Sequence, residues 1–297
     1  MRSLAVIQND IVTDSTSSKR PAWLRVRAPA GERYHTLRRL LLQERLHTVC
    51  DSAACPNMGE CWNNGTATFM ILGHACTRAC RFCDVMTTTT PDPVDLDEPA
   101  RLAKAAALMG LSHVVITSVA RDDLPDGGAL QFARCITSVK QALPRATVEV
   151  LVPDFGGSSS SIKIVTDVAP AIFNHNVETV PRMTKQIRSG ALYERSLDVL
   201  ASAKSLNPAM KTKSGIMLGL GETDDEVREV ISDLRSVNVA ILTIGQYLRP
   251  SKWHHEVARY ADLDVFAAHK QFAQNLGFSH VESGPLVRSS YHAERAI

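Results

Sequence analysis

At 297 residues, with 44% apolar and 22% charged side chains, the chain can bury one large α/β core or two ordinary ones, and its composition excludes a disordered protein. A formal charge of +2 is too weak to point to a nucleic-acid partner, and no apolar run reaches the roughly 18 residues of a membrane span. The seven cysteines are an odd number, and the first twenty residues lack a secretory core and cleavage site and carry two aspartates that argue against a transit peptide. The thiols therefore read as ligands or reactive groups of an intracellular protein, in a bacterial cytoplasm or an organelle matrix, rather than as disulfides.

Residues 11–22 are rich in Ser, Thr and Lys and read as a flexible lead-in, after which Trp23, Leu24 and Val26 can tether the chain to its body. A helical pattern over 34–46 sets Leu37, Leu40 and Leu41 on one face and delivers the chain to Cys50. The stretch from there to Asn64 is rich in Asn, Gly, Pro and Cys and reads as irregular backbone. From Thr68 onward, six apolar runs (68–73, 114–119, 148–153, 171–176, 215–219 and 240–248) alternate with helical patterns near 98–109, 128–142, 158–167, 190–206 and 224–237. Such alternation is the pattern of a parallel sheet covered by helices and predicts a partial, TIM-like (β/α)6 barrel. The expected divisions are an N-terminal cysteine-rich extension over 1–66, the barrel over 67–255, and a C-terminal helix near 256–276 whose tail, ending at 297, closes over the site.

Ligands of such folds sit beyond the carboxyl ends of the strands. Here those positions hold GHACTRAC, VARDDLPDGG, PDFGG, NHNVET, GLGETDDE and QYLRPSKWH. The first contains Cys76, Cys80 and Cys83 in CxxxCxxC spacing directly after a strand. A structural zinc site takes four protein ligands, with its cysteines usually in distant CxxC pairs. Three thiolates in one loop instead supply all but one corner of a cubane iron–sulfur cluster, leaving one iron open to a further ligand. Zinc and redox thiols are the competing readings. Cys50, Cys55 and Cys61 form a second triplet, spaced too widely for a zinc knuckle, with structural zinc completed by His74 as the competing reading.

With the aromatic Phe82 before its last cysteine, CTRACRFC resembles the motif of the radical S-adenosylmethionine family. The resemblance implies a [4Fe–4S] cluster on Cys76, Cys80 and Cys83, and S-adenosylmethionine chelating the fourth iron and being cleaved reductively to a 5′-deoxyadenosyl radical. PNMGECW (56–62), the FMILG strand, ITSVARDDLPDGG and the terminal RSSYHAE narrow it, across nearly the whole chain, to a sulfur-inserting branch of that family. This implies a second [4Fe–4S] cluster on Cys50, Cys55, Cys61 and Ser289, with Ser290 as the runner-up. A serine alkoxide is a harder and weaker partner for iron than a thiolate, which suits a ligand that leaves during turnover. The implied reaction replaces hydrogens at C6 and C8 of an octanoyl-lysine, which no acid or base could remove at neutral pH, with the second cluster as the sulfur source. Implied partners are an octanoylated lipoyl-carrier domain or glycine-cleavage H protein, an electron donor such as ferredoxin or flavodoxin, and a cluster-repair protein, with no nucleic acid or membrane and a monomeric enzyme.

Other strand-end residues take roles in this frame. Gly219 and Gly221 let backbone approach the cofactor, or else make a strand-to-helix turn. Asn174, Asn176 and Glu178 hold its ribose or methionine portion. Arg121 and Asp123, with Asp126 nearby, bind its amino group or orient the peptide substrate, against the reading of a structural ion pair. Phe82 shields the cluster or packs on the barrel, Arg288 and Tyr291 are placed to fix the tail, and Cys135 is a small apolar helix residue. His74 and His175 stand near these loops without a ligand assignment. The alternative enzyme is a methylthiotransferase-like member of the same family, which lacks support from any basic RNA-binding region. The non-enzymatic alternative is a zinc-stabilised interaction protein.

Overall fold

The computed structural model describes residues 21–24, 31–52, 55–63, 68–291 and 293–296. The expected lead-in as far as residue 20 and the tether at Val26 lie outside the described residues. Trp23 and Leu24 form part of a single half-buried helical turn.

Two short elements lead into the sheet. Helix α1 (Glu32–Gln43) is followed by β1 (His47–Thr48), which pairs antiparallel with β2 (Thr68–Ile71). Between them lie α2 (Val49–Ser52) and α3 (Met58–Asn63), in the stretch that reads from sequence as irregular. These helices are too short to show a period, and they are held by tertiary packing instead. Trp62 is 2% exposed and stacks on Tyr34 at 5.0 Å, which fastens α3 to α1.

Strands β3 (Ala75–Cys76) and β4 (Met86–Thr87) form a small separate ladder that brackets the CxxxCxxC loop. The main sheet continues through β5 (His113–Ser118), β6 (Thr147–Leu151), β7 (Ile172–Asn174), β8 (Lys211–Leu218), β9 (Ile241–Gln246) and β10 (His280–Ser283). Its order is β1-β2-β5-β6-β7-β8-β9-β10, parallel from β2 onward, with β1 and β10 left as edges. The six expected strands are all present in sequence order, and the barrel is partial, as expected. The four-residue β10 adds a parallel strand that its short, half-buried sequence does not announce.

The covering helices are α4 (Glu98–Leu108), α5 (Ala129–Ala142), α6 (Ser159–Asp167), α7 (Pro181–Ile187), α8 (Tyr193–Leu206), α9 (Asp224–Ser236) and α10 (Leu263–Asn275). Helix α9 starts with a reciprocal capping box between Thr223 and Glu226, and three acidic residues fill its first turn. Helix α7, unforeseen, opens on Pro181, whose missing N–H costs nothing at a first helical position. Helix α10 begins at Leu263, not near Glu256. The preceding residues are drawn straight by bonds to the strand ends: Ala258 N donates to Gly219 O, while Gln246 donates to Arg259 O and accepts from Ala261 N.

Register decides what each face of the sheet carries, because paired residues point the same way. Val114, Ile116, Val148, Val150 and Phe173 belong to one apolar core with Phe132 and Ile162 of the helices, while Leu242 and Ile244 join a second with Val230 and Phe266. The opposite face carries Thr117, Glu149, Asn174, Lys213, Gly215 and Thr243. There Lys213 Nζ lies 2.8 Å from Glu149, His113 Nε2 3.5 Å from its other oxygen, and Asn174 Nδ2 donates to it at 3.3 Å, all within a buried cluster. Burial pushes the Glu149 carboxyl up, but Lys213 and His113 overrule it and hold it below its ordinary value. Removing one partner strands the other's charge. Lys213→Met is expected to lower unfolding free energy by about 3–5 kcal/mol. Glu149→Gln/Lys213→Met is expected to recover most of that loss in urea denaturation.

Candidate active site

The CxxxCxxC loop is clamped on both flanks. Thr88 N donates to Cys76 O at 2.9 Å, Thr77 N to Ala120 O at 3.1 Å and Arg81 N to Ile187 O at 2.8 Å. From the loop after β9, His255 N donates to Arg81 O at 2.8 Å. His254 Nε2 lies 3.0 Å from Cys83 O, with Nδ1 on Ser251 Oγ at 2.9 Å. The stiffest brace is Arg78, which forks onto Asp122 at 2.6 and 2.8 Å and reaches Asp154, at the end of β6, at 2.7 Å. Asp154 is fully buried and also 3.3 Å from Arg195. Burial alone would push its carboxyl up, but the Arg78 guanidinium holds it down at about 2.

The sulfurs receive backbone donors. Cys76 Sγ accepts from Arg78 N at 3.4 Å and Ala120 N at 3.3 Å, while the amides of Ser189 and Val85 face the Cys80 and Cys83 sulfurs. Burial, reinforced by the neighbouring thiols and Glu178, pushes Cys83 up to about 12 and raises Cys80. Glu178 stands beside them with a left-handed backbone (φ 64°), and its N–H and C=O extend the β7–β8 ladder through Gly215 and Met217. Its half-buried carboxyl is raised by burial, against the pull of Arg188 and Arg288. Arg188, 7% exposed, donates to Val177 O and Ser196 Oγ, and its charge acts on both Glu178 and Cys80.

A second cavity is lined by Cys50, Cys55, Cys61, Thr68, Arg288 and Ser290, with Asn57 and Tyr291. Local bonds shape it: Cys55 N donates to Cys50 O at 3.0 Å and Cys61 N to Asn57 O at 2.9 Å. Asn57 Nδ2 then donates to Leu286 O at 2.6 Å, which brings in the tail. Burial pushes the Cys50 thiol up to about 11 and raises Cys55, the latter against Arg288. Of the two serines, Ser290 accepts from Thr68 Oγ1 at 2.7 Å beside these cysteines, whereas Ser289 accepts from Asn176 Nδ2 at 2.6 Å. Adjacent residues in one turn thus send their hydroxyls to different partners, and of the two it is Ser290 that lines the cavity of the early cysteines.

Several expected contact residues have other partners. Arg121, which is buried, forks onto the exposed Asp123 at 2.8 Å and donates to Leu72 O. The amides of Gly219, Leu220 and Gly221 are donated to the Glu222 carboxylate at 2.7, 2.8 and 3.1 Å. A Cβ at Gly219 (φ 104°) would overlap Gln246 and the Arg259 carbonyl, so this glycine makes the turn. Asn174 faces Glu149, Phe82 packs half-buried on the second core, and Asp126 caps the start of α5 through Gly128 N and Leu130 N. His175 bonds Val152 O and Ser196 Oγ and is pushed down to about 4 by burial, which leaves it neutral. His74 is exposed against His47, and Cys135 is fully buried. Arg188 carries no motif that would mark it in the sequence, while Asp154 at least lies in a strand-end loop.

Residues 70–234 match the family model of the Radical SAM superfamily. The chain is 54% identical over 288 residues to the lipoyl synthase of Koribacter versatilis, covering 97% of this chain and 94% of that one. It is 55% identical over 274 residues to the lipoyl synthase of Rubrobacter xylanophilus, covering 92% and 85%. The chain belongs to the lipoyl synthase family of radical S-adenosylmethionine enzymes. The same fold recurs in the [FeFe]-hydrogenase maturase HydG of Carboxydothermus hydrogenoformans (TM-score 0.55, 13% identity, 73% of this chain and 59% of that one). It recurs also in Streptococcus suis SuiB bound to S-adenosylmethionine (TM-score 0.54, 9% identity, 74% and 50%). This chain thus spans about half the length of those two solved structures.

Lipoyl synthase family membership carries the use of S-adenosylmethionine and iron–sulfur clusters. The donors present fit such groups. None of the seven cysteines forms a disulfide; Cys50, Cys55 and Cys61 line one cavity, while Cys76 and Cys80 stand near enough to Cys83 for their charges to act on it. Among the described residues no three His, Cys, Asp or Glu converge as the ligands of a single metal ion. Burial raises the Cys50, Cys55, Cys80 and Cys83 thiols, so loading at those sulfurs must expel protons.

Asp154 provides a pH test of the loop brace. A depressed carboxylate stabilises the fold fully above its ordinary range and loses that contribution as pH falls through its folded value. Asp154→Asn is therefore expected to lower stability by about 2 kcal/mol at neutral pH. In denaturation at stepped pH, the difference from the parent should shrink between about pH 4 and 2.

Proposed function

We propose that this chain inserts two sulfur atoms, at C6 and C8 of an octanoyl group amide-linked to a carrier-protein lysine, to give lipoyl-lysine. The observation that carries the reading is the juxtaposition of two cysteine triplets at one end of the sheet. Arg288 and Ser290 line the cavity of the early triplet, Ser289 beside them accepts from Asn176, and Asn176 donates to Glu178, whose charge acts on Cys80 and Cys83. Radical abstraction at an unactivated carbon and delivery of sulfur to the same carbon require two such centres close together.

In this reading Cys76, Cys80 and Cys83 hold one [4Fe–4S] cluster, and Cys50, Cys55, Cys61 and Ser290 hold the other. When bound, the first cluster with S-adenosylmethionine supplies a hydrogen-abstracting radical, and the second supplies sulfur. The chain's own residues set the conditions. Amides of Arg78, Ala120, Ser189 and Val85 stabilise the thiolate charge, and such hydrogen bonds tune cluster potential. Arg188 offsets the negative charge around Cys80. Glu178 offers the cofactor a carboxylate and Phe82 covers one side of the loop, while the hard oxygen of Ser290 makes the second site the more easily opened. Gly219, Gly221, Arg121 and Asp123 act one step back, by shaping the loops that face the cofactor. The substrate is an octanoylated lipoyl-carrier domain or glycine-cleavage H protein, with a ferredoxin or flavodoxin as electron donor and a cluster-repair protein to rebuild the second centre. No helix among the described residues is long and apolar enough to cross a membrane.

The test is iron and sulfide per chain after anaerobic reconstitution. The parent is expected to hold about eight irons, and Cys50→Ala/Cys55→Ala/Cys61→Ala about four. That variant is expected to cleave S-adenosylmethionine yet form no lipoyl group on an octanoylated carrier. Zinc in the early triplet of the parent, with about four irons, would overturn sulfur donation from that site.

A further inference from the structure

We infer that Asn176 is a positioning residue: through Ser289 it latches the C-terminal tail, and through Glu178 it ties the seating of Ser290 to events beside Cys80 and Cys83. The inference rests on the reading of Ser290 as a ligand of the second cluster.

Asn176 lies two residues past β7 and is 6% exposed. Its Nδ2 donates to Ser289 Oγ at 2.6 Å and to Glu178 Oε1 at 3.0 Å. With Nδ2 turned to both Glu178 and Ser289, both of its hydrogens are spent on protein partners. The other amide atom, Oδ1, is buried without a hydrogen-bond partner. A buried asparagine that leaves its acceptor unsatisfied is held in place by what its donors do. The fit is close: a Cβ at Gly215 would stand 2.9 Å from Asn176 Oδ1 and 2.7 Å from Thr243 Oγ1.

The tail meets the body through several hydrogen bonds, among them Gly284 N to Ile244 O at 3.0 Å and Tyr291 Oη to Glu60 at 3.3 Å. Gln246 N donates to Pro285 O at 3.3 Å, Asn57 Nδ2 to Leu286 O at 2.6 Å and Thr68 Oγ1 to Ser290 Oγ at 2.7 Å. A side chain at Gly245 would overlap the Val287 carbonyl, so the tail also lies against β9. Asn176 adds a hold on Ser289 from the side opposite Thr68. With the turn pinned at both serines, the Ser290 hydroxyl is directed at the early cysteines. Any ligand that draws the Glu178 carboxylate away from Asn176 alters the hold on the tail, and by linkage the tail's position alters affinity for that ligand.

Hydrogen exchange of the tail amides, residues 284–291, tests the latch in cluster-free protein. Asn176→Ala and Ser289→Ala are each expected to speed exchange by about tenfold, as loss of one buried hydrogen bond would. Because they break the same bond, Asn176→Ala/Ser289→Ala should be no faster than either single variant. Ser289→Ala removes one hydroxyl from a half-buried turn, so it reports even if Asn176→Ala folds poorly. In reconstituted protein lacking the first cluster through Cys76→Ala/Cys80→Ala/Cys83→Ala, adding Asn176→Ala should change the Mössbauer signature of the serine-bound iron, although Asn176 touches none of the early cysteines. With both clusters present, S-adenosylmethionine should shift tail exchange in the parent and not in Asn176→Ala. Unchanged exchange in both single variants, or additive effects in the double variant, would overturn the latch. Faster exchange with an unchanged iron signature would uphold the latch and overturn the assignment of Ser290.

Discussion

Holding several sulfur anions together in a partly buried loop is electrostatically unfavourable, and the arrangement around both cysteine triplets answers that constraint. Burial pushes Cys50, Cys80 and Cys83 up, and neighbouring thiols push them further. The opposing groups are local and of two kinds. Backbone amides of Arg78 and Ala120 donate to the Cys76 sulfur and those of Ser189 and Val85 face Cys80 and Cys83, none bringing in a full charge, while Arg188 and Arg288 place one guanidinium near each triplet. Both arginines are held where burial disfavours their charge, which nearby anions must offset.

Amides can be aimed only if the backbone is rigid, and the parallel sheet supplies that rigidity. Several strand-end loops are tied to the CxxxCxxC loop. Arg78 is braced by Asp154 after β6, Thr77 by Ala120 after β5, and Arg81 by both Ile187 and His255. The sheet's apolar face is buried under helices. Its other face carries Glu149, Lys213 and Asn174, a buried polar patch that is stable only because each group has a partner.

The second triplet is assembled from parts of the chain that are far apart. Cys50 and Cys61 sit on short helices, the second anchored by Trp62 on Tyr34, with Cys55 between them, and the tail lines the same cavity. The tail is held by bonds spanning 229, 222 and 113 residues, from Asn57, Thr68 and Asn176. Closing such long loops costs little more entropy than closing short ones, so a small number of good bonds is enough.

What the sequence determined by itself is whatever depends on neighbours along the chain. The strand and helix order shows in hydrophobic period, and the thiol chemistry shows in CTRACRFC, because spacing within one loop already limits what the cysteines can bind together. Residues whose meaning depends on distant partners were not legible. Gly219 and Gly221 look like an opening for a cofactor until Glu222 takes their amides and Gln246 fills the space. Asn174 and Asn176 look alike, two residues apart, yet one faces Glu149 inside the sheet and the other reaches the tail. Only the tertiary structure separates Ser289 from Ser290: two identical side chains in one turn meet different partners, Asn176 and Thr68, and which of them lines the cavity of the early cysteines depends on where a segment more than 200 residues from Thr68 comes to rest.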